Sequence, residues 1–123
     1  MKQITRTDRS YHYGLFAENL AAWYLRLKGY RILEQRYKTP VGEIDIVACK
    51  GESLIFIEVK ARQKIEVALS SVTTKMQERI SRAGQYYLSL NPSTGTMAIR
   101  FDLIATAPPF FIRHLDNAWR PRS

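Results

Sequence analysis

The sequence predicts an α/β domain, a mixed central sheet flanked by helices, and three observations carry that reading. Apolar residues recur with the 3.6-residue period of an amphipathic helix in two separate stretches, beginning at Gly14 and at about Thr74. The segments between and after them are rich in β-branched residues and alternate with the period of a strand. Two of these runs, residues 44–49 and 54–60, are separated only by Lys50-Gly51-Glu52-Ser53, which is the pattern of a β-hairpin with an even turn.

Length and charge bound the problem. A chain of 123 residues holds one compact domain and is too short for two cores and a linker. Its formal net charge of +8 is the unusual quantity, because a surplus of that size favours polyanions such as nucleic acid or anionic lipid. The single cysteine, Cys49, forms no internal disulfide and sits in a strand pattern, so it reads as a small buried thiol in a reducing compartment. The first ten residues have no apolar core for export, and no stretch approaches the ~18 apolar residues of a membrane span. These features predict a cytoplasmic protein that does not enter a membrane.

Taken in order, residues 1–13 are polar and basic, with Lys2, Arg6 and Arg9, and read as a flexible arm ahead of a single domain over residues 14–123. A helix follows over residues 14–28, with Ala17, Leu20, Ala21, Tyr24 and Leu25 on its apolar face and Gly29 ending it. Glu18 flanks that face, and the pattern leaves open whether it turns inward or stays solvated. Residues 30–38 supply a first strand, which Thr39-Pro40-Val41-Gly42 breaks before the hairpin. Residues 63–71 are weakly patterned and read as a loop. The second helix opens with a capping box from Thr74 to Gln77, buries a stripe of Met76, Ile80, Ala83 and Tyr87, and carries Lys75, Arg79 and Arg82 on its outer side. Asn91-Pro92 stops it. Residues 97–105 alternate as a strand, with Met97, Ile99, Phe101 and Leu103 on one face and Arg100 and Asp102 on the other. After Pro108-Pro109, residues 110–115 read as an edge strand and Trp119 onward as a tail.

The hairpin register follows from its turn. With Lys50 facing Ser53, Asp45 falls opposite Glu58 and Glu43 opposite Lys60, all four on one face together with Val47, Phe56, Cys49 and Leu54. The other face pairs Ile44 with Val59, Ile46 with Ile57 and Ala48 with Ile55. Opposed like charges destabilise a strand pair, so Asp45 and Glu58 require a compensating cation: Lys60, a side chain from elsewhere, or a metal ion. Two carboxylates and a lysine in a basic protein suit divalent-metal chemistry on phosphodiesters, since hard oxygen ligands bind Mg2+ or Mn2+. His12 and His114 have no zinc-ligand spacing, and no phosphate-binding loop, dinucleotide fingerprint or G-x-S-x-G motif is present.

Asp45 with E-V-K at Glu58 to Lys60 resembles the D…E-x-K signature of the PD-(D/E)xK nuclease superfamily. A wider set of residues is more specific: G-x-x-x-E-x-x-A with Y-L at Gly14 to Leu25, Gly29-Tyr30, G-E-I-D-I-V-A at Gly42 to Ala48, F-I-E-V-K-A-R at Phe56 to Arg62, and R-F-D at Arg100 to Asp102. Together they resemble the YraN-type family of bacterial proteins related to Holliday junction resolvases. The resemblance implies a restriction-endonuclease-like αβββαβ core. It implies that Asp45, Glu58 and the backbone carbonyl of Val59 hold Mg2+ or Mn2+, that Lys60 is the catalytic lysine, that Glu18 completes the site and that Gln77 supports the lysine. Two departures stand out: Ile44 precedes Asp45 where the superfamily has proline, and Met76 precedes Gln77 where a lysine is expected, with Lys75 one place earlier.

The expectation is a metal-dependent endonuclease of DNA, with branched, Holliday-junction-like DNA among its substrates. Arg9, Arg62, Lys75, Arg79 and Arg82 are the expected contacts to nucleic acid. Resolvase-like relatives further imply a homodimer. The alternatives are a nucleic-acid-binding module that keeps the fold without catalysis, and an interaction domain in which the acids and lysine form a structural ion pair. The last leaves the charge of +8 unexplained.

Overall fold

The structure is a computed structural model and describes residues 6–121, with side chains from Tyr13 onward. Its elements run α1 (Arg6–Leu27), β1 (Arg31–Thr39), β2 (Gly42–Lys50), β3 (Ser53–Ala61), α2 (Ile65–Leu69), α3 (Thr74–Leu90), a 3-10 turn (Pro92–Thr94), β4 (Ala98–Ala107) and β5 (Phe111–Trp119). The described strands form one sheet in the order β1-β2-β3-β4-β5. All neighbours are antiparallel except β3 and β4, which are parallel, so the sheet is mixed as expected. The parallel pair needs a crossover, and α2 and α3 supply it.

Helices α1 and α3 cover opposite faces of the sheet. Ala21, Ala22 and Leu25 of α1 pack with Ile46, Ala48, Ile55, Ile57 and Ile104. Ile80, Ala83 and Tyr87 of α3 pack with Val47, Leu54, Phe56, Phe101 and Leu103. Small residues set how closely each helix approaches. At Gly84 of α3 a Cβ would lie 2.9 Å from Cε2 of Phe56, whose ring is fully buried.

Several expectations are corrected. Helix α1 begins at Arg6, ahead of the expected start at Gly14; no proline or glycine interrupts residues 6–13, and Gly14 lies within the helix. The expected arm's first five residues lie outside the described residues. The segment expected to be a loop contains α2, which buries Ala68. The cap of α3 is Thr73, whose side chain accepts from the Met76 N–H, so the Thr74–Gln77 box is not formed. Met76 is only half-buried in the expected stripe. Strand β5 reaches Trp119, which is buried and stacks on Phe101 at 5.7 Å instead of belonging to a tail.

The most consequential correction is at Ile44. It packs with Val47, Leu54 and Phe56 on the α3 side, not with Ile46 on the α1 side. Strict alternation in β2 therefore breaks between Ile44 and Ile46, at Asp45. Strand β1 is irregular at the same level: Gln35 pairs with Ile46 and Tyr37 with Ile44, and Arg36 between them adopts a left-handed backbone with φ 53°.

Candidate functional site

The hairpin register is the expected one from Lys50↔Ser53 through Val47↔Phe56 to Ile46↔Ile57, where the pairing of β2 with β3 stops one position short of Asp45 and Glu58. The strands part there. The Val59 N–H donates to Oδ2 of Asp45 at 2.8 Å, so a side chain satisfies a group that a regular ladder would give to a backbone carbonyl. A cleft of about 280 Å³ opens at this point, lined by Gly14, Leu15, Glu18, Arg36, Glu43, Asp45, Glu58, Val59 and Lys60. Five expected site residues, Glu18, Asp45, Glu58, Val59 and Lys60, thus come together from α1, β2 and β3.

Glu58 is buried and its Oε1 lies 3.3 Å from Nζ of Lys60. Glu43 does not take Lys60 as the register expected; it lies 3.9 Å from Nε of Arg36 across the β1–β2 pair. Burial raises the Asp45 carboxyl above the usual range, with the Val59 N–H only partly opposing it. Burial also raises Glu58, and the neighbouring Asp45 charge adds to the effect. Glu18, buried on the sheet side of α1, is pushed up to about 7 by burial and by Asp45, with Arg36 pulling the other way. Glu18 therefore turns inward, the choice that the helical pattern alone left open.

The remaining expected residues lie elsewhere. Gln77 and Arg82 line a separate cavity of about 260 Å³ between α3 and residues 119–121, with Ser81 and Trp119, so Gln77 is not among the lining of the acidic cleft. Arg79 lies against the start of β2, its Cγ 2.7 Å from where a Cβ on Gly42 would be. That contact requires glycine at the entry to the cleft-forming strand. Lys75 is exposed on α3, and Arg62, just past Lys60, folds back to donate to the Ala61 carbonyl at 2.8 Å. The Arg9 side chain lies outside the described residues.

Arg36 is the lining residue that the sequence reading missed. The signal was available: Thr39 faces Gly42 across the β1–β2 turn, and counting back from that pair brings Arg36 level with Asp45. Away from the cleft, Asp102 is fully buried and accepts from Arg100 (Nε at 2.8 Å, Nη2 at 2.7 Å), from the Asn117 N–H at 2.9 Å and from His114 Nε2 at 2.7 Å. Nζ of Lys28 lies 2.7 Å from Nδ1 of His114. A charged lysine can only donate, so that nitrogen accepts and the ring proton faces Asp102. Burial alone would raise Asp102, but the bonds from His114, Arg100 and Asn117 win and hold it low.

Fold and cleft define a class of protein: a mixed-sheet α/β domain whose central hairpin parts around half-buried Asp45 and buried Glu58, with an adjoining lysine. The chain belongs to a family described as the uncharacterised protein family UPF0102, whose model matches residues 17–106. A UPF0102 protein of Nitrobacter winogradskyi is 48% identical over 110 residues, covering 89% of this chain and 93% of its own. Another, from Parvibaculum lavamentivorans, is 43% identical over 112 residues, with 91% and 84% covered. A third, from Chelativorans, is 42% identical over 115 residues, with 94% and 93% covered. Among the described residues no helix is long and apolar enough to cross a membrane.

Proposed function

We propose that this chain is a metal-dependent endonuclease that hydrolyses DNA phosphodiester bonds, branched DNA included. The observation that carries the reading is the convergence of Asp45, Glu58 and Lys60 in one cleft, in a protein of net charge +8. A module that only bound a polyanion would gain nothing from paired carboxylates in its path.

The donor set fits Mg2+ or Mn2+. Among the described residues no three acidic, histidine or cysteine side chains form a ready cage. Magnesium, however, uses one or two carboxylates and keeps several waters. Asp45, Glu58 and the Val59 carbonyl would hold the ion, with Glu18 at the margin. Bound there, it supplies Lewis-acid stabilisation of the phosphoryl group and lowers the pKa of coordinated water.

The protein's own residues position and neutralise. Lys60 carries three donors, so it can keep Glu58 and direct another proton to the attacking water or to charge developing on the phosphate. The Val59 N–H fixes one oxygen of Asp45 and so limits how the carboxylate turns. Glu18 and the α1 residues Gly14 and Leu15 wall the cleft on the other side.

The test is cleavage of a panel of linear, flapped and four-way-junction DNA with Mg2+ or Mn2+. Lys60→Ala should lower turnover by ~10³ with DNA affinity nearly unchanged, because the lysine acts in the transition state. Asp45→Ala should abolish metal-dependent cleavage and tighten metal-free binding, because it removes a charge that repels phosphate. Equal cutting by wild type and Lys60→Ala would assign the activity to another site. Salt-sensitive binding without any cutting would favour the binding-module reading.

A further inference from the structure

We propose that Arg36 is a phosphate-contacting residue of the cleft, its guanidinium taking a non-bridging oxygen of the polynucleotide backbone beside the bond to be cut. The inference deepens the nuclease reading and rests on it for the identity of the polyanion.

Position is the first argument. Arg36 lies on β1 at the level of Asp45, in the one-residue gap between the pairs Gln35↔Ile46 and Tyr37↔Ile44, and it lines the same cleft as Glu18, Asp45, Glu58 and Lys60. The backbone is the second. A residue in regular β conformation points to a face fixed by alternation, whereas φ 53° at Arg36 releases it from that constraint. Non-glycine residues rarely adopt this region, and those held there cluster at functional sites.

Charge points the same way. A phosphate entering this cleft meets Glu18, Glu43, Asp45 and Glu58, and among the described lining residues the cations set against them are Lys60 on β3 and Arg36 on β1. They stand on opposite sides of the β2 carboxylate. Lys60 is the more enclosed and is held by Glu58 at 3.3 Å. Arg36 meets Glu43 at 3.9 Å, with the two side chains 37% and 41% exposed. An exposed pair at that distance is weak, and a phosphate offers the guanidinium fork a better-matched, bidentate partner. A phosphate in the cleft would meet the Arg36 guanidinium on the side of its weak contact with Glu43.

The experiment measures binding of a labelled DNA duplex and a four-way junction in Ca2+, across a salt series, alongside Mn2+ binding to the protein alone. Arg36→Gln should weaken DNA binding about tenfold and flatten the slope of log Kd against log salt by about 0.9, the loss of one phosphate contact. Its Mn2+ affinity should stay within about twofold of wild type. Arg36→Asn, which suits a left-handed backbone, should show the same loss with undiminished thermal stability, so that misfolding does not mimic the effect. Arg36→Lys should keep the slope and lose part of the affinity. An unchanged slope with Mn2+ affinity raised several-fold would overturn the proposal, since Arg36 would then only offset Glu43 and Glu18. Cleavage of the same DNA in Mn2+ judges the nuclease reading separately. Wild type that binds with an Arg36-dependent slope but cuts nothing supports the contact and removes the catalysis. Wild type that cuts while Arg36→Gln binds and cuts equally well overturns the contact alone.

Discussion

At the scale of single residues the cleft holds three carboxyls where burial opposes their ionisation. Burial raises Asp45, burial and the Asp45 charge raise Glu58, and Glu18 is raised to about 7 by burial and by Asp45. Each folded-state pKa lies above its unfolded value, so the folded protein holds more protons. The stability these groups contribute is fully present below their unfolded values, pH 3.8 for Asp45 and 4.5 for the two glutamates, and it is lost as pH rises through the folded values. Metal-free protein should therefore melt lower at pH 8 than at pH 5.5, and Mn2+ should restore part of the difference. Asp45→Asn keeps an acceptor for the Val59 N–H but removes one charge of the pair. At pH 8 without metal it should stabilise the fold by about 1–2 kcal/mol, a Tm rise of some 4–8 °C, while removing the Mn2+-induced shift and the cleavage. Thermal melts of both proteins at the two pH values, with and without Mn2+, check this; a lower Tm for Asp45→Asn at pH 8 would mean the pair is not under strain.

At the scale of elements, what packs by period was legible and what packs by exception was not. The turn at Lys50-Gly51-Glu52-Ser53 was enough to set five cross-strand pairs of the β2–β3 ladder, because a one-residue slip would turn every side chain over. The same rule misplaced Ile44, because alternation fails where Asp45 takes the Val59 N–H and Arg36 leaves the β region. Helix α2 was missed because five residues are too few to show a helical period. Gly84 in α3 was missed for another reason: glycine inside a helical pattern looks merely unfavourable until the Phe56 ring is seen against it. Gly84→Ala would gain about 1 kcal/mol of helix propensity. It would also overpack a buried ring at a cost of about 1–3 kcal/mol, so the net change should be destabilising. A denaturant titration with unchanged m-value and a lower midpoint checks it. The Asp102 cluster joins β4, β5 and the residue after α1, and the face assigned from alternation gave no sign that Asp102 is fully buried. Its pKa is depressed, so its contribution is present above pH ~3.8 and is lost as pH falls through the lower folded value. Asp102→Asn leaves Arg100 without its buried partner and should cost about 3 kcal/mol at pH 7. Against wild type the deficit should shrink as pH falls through the folded value of Asp102, and an equally large deficit in strong acid would mean that packing, not charge, is what the substitution removes.

For the whole molecule, the proposed function requires that a protein of net charge +8 present a cleft of carboxylates to a polyanion. The two are compatible if long-range attraction comes from the basic surface and the cleft is neutralised only locally. Exposed Lys75, Arg79 and Arg82 follow one another along α3, on the face of the sheet opposite α1, and Arg79 touches Gly42 where β2 leaves its turn and enters the cleft. DNA held along α3 would then be delivered to the carboxylates from the β2 side. Because Arg79 also packs, the clean test uses the other two. Lys75→Gln with Arg82→Gln should leave Tm unchanged and reduce the slope of log Kd against log salt by about two on duplex DNA. It should raise KM while sparing turnover at saturating DNA, since neither side chain lines the cleft and uniform binding is what is removed. Lys60→Ala should do the reverse, lowering turnover and leaving the slope nearly as it was. If the double substitution left the salt dependence intact, the basic face of α3 would be a solvated helix surface and DNA would have to approach from another side. If wild-type affinity did not depend on salt at all, the surplus charge would serve some other purpose and the reading of this chain as a nucleic-acid enzyme would fall with it.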